Sequence, residues 1–152
     1  MRLWSAAAML ALAASVAPLA GPRPALVILD EARRPLSTIA VPRGFTVSFI
    51  HSINLSPVDE EYIIDGSGSI ILERMLFDQL STGMPSGGED GFAVEDGRFA
   101  TRPHRRFDEI QVRVSPVAGH SLGHGGEMHP LTRWAPAGGL LILRAARLRP
   151  FP

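Results

Sequence analysis

GFTVSFIHSINLSPVDEEYIID, residues 44–65, is the stretch that decides the fold. Phe45, Val47 and Phe49 alternate with Thr46 and Ser48, a period of two that puts three large apolar side chains on one face of a strand. After a break the pattern resumes. In a second strand Val58, Glu60, Tyr62 and Ile64 share one face, while Asp59, Glu61 and Ile63 share the other. Ser56-Pro57 supplies the connection, because the residue before proline is biased away from helix. Two half-apolar strands joined by a short turn predict an antiparallel hairpin.

Working outward, the chain is a string of short extended segments. ALVILD (25–30) is a brief apolar run, PLSTIAVP (35–42) ends in proline, and FAVE (92–95) and RFAT (98–101) flank Asp96-Gly97. That dipeptide, like Asp65-Gly66, is a hairpin signal, since a tight turn needs the positive φ that Gly and, less readily, Asp can adopt. EIQVRV (109–114) alternates with Ile110, Val112 and Val114 inward, and LLILRAARL (140–148) is a last apolar segment. SIILERMLFDQL (69–80) fits either period: Ile71, Leu72, Met75, Leu76 and Leu80 fall at helical spacing, Ile71, Glu73, Met75 and Phe77 at strand spacing. Its place after Asp65-Gly66 favours the second arm of a hairpin. Residues 83–91 are expected to form a mobile loop. The expected fold class is all-β, a small antiparallel sandwich or partly closed barrel following an N-terminal signal or anchor segment.

Composition bounds the function classes. A chain of 152 residues suffices for one domain, expected at 25–149. Fifteen basic residues, all Arg, balance fifteen acidic ones, so no positive field argues for nucleic acid as a partner. Met1 and Arg2 precede the apolar run Leu3–Ala20, and small residues follow near Gly21. Residues 1–21 read as a signal peptide, with an uncleaved anchor as the alternative because residues 3–20 approach the length that spans a bilayer. The expected location is periplasmic or otherwise extracytoplasmic, with a membrane tether through residues 3–20 if that run is retained. There is no cysteine, hence neither a disulfide framework nor a site for an N-terminal lipid.

Three clusters carry candidate chemistry. The first is Gly119-His120-Ser121-Leu122-Gly123, which matches the G-x-S-x-G nucleophile elbow. An elbow needs a strand running into it and a helix leaving it, whereas Pro116 precedes and Gly125, Gly126 and Pro130 follow, so the match reads as fortuitous. The second is His120, His124, Glu127 and His129, residue types that ligate zinc or copper. Their spacing is not a recognised zinc pattern, and in an extended chain His120 and His124 share one face while His129 falls on the other. A metal therefore needs a bend at Gly125-Gly126; no cofactor is expected otherwise. The third lies in residues 51–62, where Glu60 and Tyr62 sit on the apolar face. A buried carboxylate needs a partner, and His51 at the end of the preceding strand is the candidate, as a structural clamp, a polar ligand pocket or an acid/base pair.

At these residues a resemblance enters. HSINLSPVDEEY, followed by FDQLSTGMP (77–85), resembles a bacterial domain-of-unknown-function family, number 1850, in which a strand ending in His-Ser precedes a Pro-Val-x-Glu-x-Tyr segment and a Gly-x-Pro loop. His51, Ser52, Pro57, Val58, Glu60, Tyr62, Gly83 and Pro85 fit that pattern. Ile53 stands where the family more usually has Val, and the histidine-rich loop has no counterpart in it. The resemblance implies an exported protein associated with TAXI-type TRAP transporters, whose subunits or solute-binding protein are the implied partners; it implies no reaction. The candidate polar cluster is His51, Ser52, Glu60, Tyr62, Gly83 and Pro85. The expected function is a non-catalytic accessory or binding module linked to solute uptake, against the alternative of a small periplasmic hydrolase using Ser121 or a metal held by the histidine loop.

Overall fold

A computed structural model describes residues 21–80, 84 and 91–149. The N-terminal run 1–20 and most of the expected loop 83–91, with Gly83 and Pro85, lie outside the described residues. In chain order the strands are β1 (Arg23–Leu29), β2 (Pro35–Ala40), β3 (Phe45–Ile50), β4 (Pro57–Ile64), β5 (Ile70–Phe77), β6 (Ala93–Glu95), β7 (Arg98–Thr101), β8 (Arg105–Phe107), β9 (Glu109–Arg113), β10 (Ser121–His124), β11 (Glu127–Pro130) and β12 (Leu140–Leu148). One 3-10 turn spans Leu131–Arg133. No helix among the described residues is long and apolar enough to cross a membrane.

The strands form two antiparallel sheets. The smaller has the order β2-β1-β12-β9; the larger runs β11-β10-β3-β4-β5-β7-β6. The free edge of β5 is shared, β7 pairing with Met75–Phe77 and β8 with Ile70–Leu72. The sheets do not close on each other, so of the two expected all-β architectures the sandwich is the one formed and the barrel is not. Leu26, Ile28, Leu141 and Leu143 of the small sheet meet Phe45, Val47, Leu72 and Leu122 of the large one in a common core. Each large apolar side chain so buried contributes about 1.5–3 kcal/mol.

Local turn chemistry sets the registers. Glu95 faces Arg98 across Asp96 (φ 49°) and Gly97 (φ 81°), the two-residue hairpin expected from Asp-Gly. At Asp65 the hairpin is longer than the dipeptide suggests. Its carboxylate accepts backbone N–H groups of Ser67 and Ser69, both at 2.9 Å, and Gly68 rather than Gly66 takes the left-handed conformation (φ 86°). Such an Asx-type closure replaces a tighter turn. Gly125 and Gly126, both at positive φ, turn a third hairpin between β10 and β11, so the segment read as a histidine-rich loop is largely paired strand.

The ambiguous segment 69–80 is strand over Ile70–Phe77, as its position indicated, and the structure explains why its period misleads. Glu61 faces Arg74 and Tyr62 faces Leu72, leaving Glu73 as an extra residue on β5. This β-bulge shifts the inward set from Ile70 and Leu72 to Met75 and Phe77. The extra residue breaks the strict alternation that a strand reading expects.

Gly44 marks where the chain crosses from the small sheet to the large one. It adopts φ 92°, and an added Cβ would overlap the Tyr62 carbonyl oxygen. Only glycine fits at that close approach.

Candidate functional site

Strands β3 and β4 pair from Phe45 opposite Tyr62 to Ile50 opposite Pro57, leaving residues 51–56 as the turn. His51 organises that turn. Its N–H donates to the Ser56 carbonyl and its carbonyl accepts the Leu55 N–H, both at 2.9 Å, while the ring Nδ1 faces the Asn54 N–H at 3.4 Å. Ser52 is an exposed turn residue. Glu60 lies opposite Val47, four residues back along β3 from His51, and the expected His51–Glu60 pair is not formed. Strands rise about 3.4 Å per residue, so the antiparallel register alone keeps these groups apart.

The partner of Glu60 is Tyr62, whose hydroxyl donates to Oε2 at 2.7 Å. The phenol ring stacks on Phe45 with centroids 5.1 Å apart and meets the edge of Phe107 at 6.2 Å, which aims its hydroxyl back along β4. Burial raises the Glu60 pKa, opposed by the Tyr62 hydrogen bond and the charge of Arg105. Burial likewise pushes the Tyr62 phenol upward, and the neighbouring Glu60 charge adds to the shift. A phenol so shifted keeps its proton, and it serves as a fixed donor rather than as a base. The pair is therefore suited to holding a strand face in place.

On the opposite face of the large sheet the acids are tied into two ladders. Arg74 donates bidentately to Glu61 at 2.8 and 2.7 Å and reaches Glu95 at 2.9 Å; Glu95 also accepts from Arg102. Arg98 joins Asp59 and Asp78, and the Ser48 hydroxyl donates to Asp59. Sequence reading placed Asp59 and Glu61 outward but missed their arginine partners, which lie 13 to 39 residues further along the chain. The signal that was available is one arginine on each of two later strands, Arg74 on β5 and Arg98 on β7.

The histidines do not gather into one site. His120 turns its Nδ1 to the Ser115 N–H at 3.2 Å and its ring to Phe49 at 5.7 Å; burial lowers its pKa. His124 and His129 lie side by side across the β10–β11 hairpin, ring centroids 5.1 Å apart. Glu127 reaches within 3.4 Å of His129 Nε2, and Arg133 contacts His129 Nδ1 at 3.3 Å. The bend at Gly125-Gly126 that a metal would need is present, yet no three histidine or acid side chains among the described residues converge to hold an ion. Ser121 opens β10 instead of standing on an elbow, and its hydroxyl donates to the Gly119 carbonyl at 3.0 Å.

A groove of about 760 Å³ opens on the outer face of the large sheet between the Val41–Gly44 crossing and the β10–β11 hairpin. Arg43, Thr46, Ile63, Glu73, His124 and Met128 are among its lining. It mixes one arginine with acids and two exposed apolar side chains. Of the described members of the candidate polar cluster, His51, Ser52, Glu60 and Tyr62, only Tyr62 borders it.

A family model described as a domain of unknown function, DUF1850, matches residues 45–131, more than half of the chain and the whole of the span from β3 to the 3-10 turn. Neither the curated proteins nor the solved structures contain a match to this sequence.

Proposed function

The chain belongs to the DUF1850 family of domains of unknown function, and from that premise we propose that it is an exported, non-catalytic binding or accessory module serving TRAP-type solute uptake. The observation that carries the non-catalytic part is the state of the reactive side chains. Glu60 is held by Tyr62, His51 by its own turn, and the Ser121 hydroxyl by a backbone carbonyl. A nucleophile needs a base within hydrogen-bond reach, and Ser121 has no imidazole or carboxylate partner among the described residues. The hydrolase alternative gains nothing from this geometry. The groove beside Arg43 is the place such a module offers to a small ligand.

The link to uptake rests on the resemblance carried by residues 51–62 and 77–85, and the export on the sequence of residues 1–21. The test is co-purification of the full-length protein from membranes of its own cells. Recovery of TRAP transporter subunits or their solute-binding protein in stoichiometric amount is the expected result. Recovery of neither removes the link.

A further inference from the structure

The groove on the outer face of the large sheet sets one cation between two acids. In the strand order β11-β10-β3-β4-β5, Arg43 stands just before β3 at the centre, while Glu127 opens β11 and Glu73 lies on β5. Neighbouring strands are about 4.8 Å apart, so each acid is rooted about 10 Å to one side of β3.

These charges are not met within the protein. Arg43 takes no part in the ion pairs formed among the described residues. Glu73 reaches the His104 ring at 3.4 Å and Glu127 that of His129 at 3.4 Å, and a histidine is a full counter-charge only when protonated. Glu61 on the same wall differs, because Arg74 binds both of its oxygens. One guanidinium against two carboxylates leaves the groove with one negative charge in excess.

The relief of the sheet keeps the space between these groups open. A transverse register row runs Met128, Gly123, Thr46, Glu61, so the two middle strands carry only a glycine and a threonine there. Met128 leans onto Gly123, where an added Cβ would lie 2.5 Å from its Sδ, and Met128 and Ile63 both expose apolar flanks. Glu73 is the extra residue of the β5 bulge, and a bulge commonly re-aims a side chain beside a site. The volume of about 760 Å³ falls in the range of small-ligand clefts and leaves room for bridging water around a modest molecule.

Charge complementarity selects that molecule. A guanidinium matches a carboxylate through two parallel N–H donors, a glutamate matches an ammonium or guanidinium, and Met128 and Ile63 match a methylene stem. A molecule with one carboxylate and two cationic groups on an aliphatic chain meets every one of these. A neutral amino acid leaves one acid unmatched, and a diamine leaves Arg43 without an anion. An acidic amino acid sets its second carboxylate against Glu73 or Glu127, a like-charge contact that rejects it.

We propose that the groove binds a free α-amino acid with a cationic side chain, its carboxylate on Arg43 and its two cationic groups on Glu73 and Glu127. The proposal deepens the binding-module reading and rests on it only in taking the groove as the place of a small ligand.

The test is isothermal titration calorimetry of the purified full-length protein with L-arginine and L-lysine. L-leucine, L-glutamate and agmatine, which is arginine without its carboxylate, are the comparisons. The expected result is saturable binding of both basic amino acids, with each comparison at least tenfold weaker. Arg43→Gln should weaken L-arginine at least tenfold and erase its advantage over agmatine, and Glu73→Gln and Glu127→Gln should each weaken it severalfold. All three side chains reach solvent, so melting temperatures should stay at the wild-type value, and the agmatine comparison needs no variant at all. Equal affinity for L-leucine, L-glutamate or agmatine, no binding at millimolar L-arginine and L-lysine, or unchanged binding by Arg43→Gln overturns the proposal. If TRAP components co-purify with a protein that binds neither basic amino acid, the groove assignment falls and the accessory reading stands. If the basic amino acids bind as expected and no TRAP component co-purifies, the uptake link falls and the groove assignment stands.

Discussion

The Tyr62 hydroxyl donates to the Glu60 carboxylate two residues earlier on the same strand and the same face, at 2.7 Å. Side chains at i and i+2 of a strand point the same way, and Phe45 and Phe107 fix the phenol ring so that its hydroxyl can reach back. The pair satisfies an acid that the fold has drawn largely out of water.

Tyr62→Phe keeps the aromatic packing and removes only the donor. A half-buried carboxylate then loses its hydrogen bond, a change that typically costs about 1–3 kcal/mol. Urea unfolding should show a lower midpoint with an unchanged slope; equal midpoints for the two proteins would remove the clamp role.

Glu60 also sets a pH dependence. Its folded pKa is raised by burial, so between the unfolded value and that raised value the folded state binds more protons than the unfolded one. Stability from this group therefore falls as pH rises through the window and is recovered on acidification. Glu60→Gln stays neutral and can still accept from Tyr62. Relative to wild type it should be more stable at neutral pH, with the advantage shrinking as the pH is lowered towards the unfolded carboxylate range. Melting curves at several pH values measure this, and a constant difference between the proteins would contradict it.

Gly44→Ala tests the crossing between sheets. The new Cβ would meet the Tyr62 carbonyl at a backbone φ of 92°, and neither neighbour is a flexible side-chain end. Strain of this kind costs about 1–3 kcal/mol from the dihedral alone, and steric overlap adds to it. Loss of soluble folded protein, or a drop in melting temperature well beyond that of Tyr62→Phe, is expected.

Arg74→Met removes the hub of the ladder joining Glu61 and Glu95. The Arg74 pair with Glu61 is partly exposed, so the loss should be about 1 kcal/mol or less in dilute buffer and smaller still in concentrated salt, where screening weakens it. Denaturation in low and high salt reads the difference, and a salt-independent loss would point to packing of the arginine stem instead.

Much of the fold was legible because strand character is local. Phe45, Val47 and Phe49 alternate, Asp96-Gly97 closes a two-residue hairpin as its residue types require, and Glu60 shares its face with Tyr62. The segment 69–80 was ambiguous for a local reason too: the extra Glu73 interrupts the alternation, and a bulge is invisible until the strand opposite is known. Gly125-Gly126 carried a hairpin signal that its glycine-rich neighbours obscured.

What the sequence by itself determined is the class of fold and the face on which each residue of β3 and β4 lies, since both follow from a period of two and from turn residues. What only the tertiary structure decided is who meets whom. Register put the level of Glu60 four residues back along β3 from His51, the β10–β11 hairpin brought His124 beside His129 and left His120 against Phe49, and arginines from β5 and β7 reached back to Asp59 and Glu61. The same assembly set Arg43 in one groove with Glu73 and Glu127. Contacts of this kind join segments tens of residues apart, and their partners are fixed by strand pairing and sheet stacking, which no local pattern encodes.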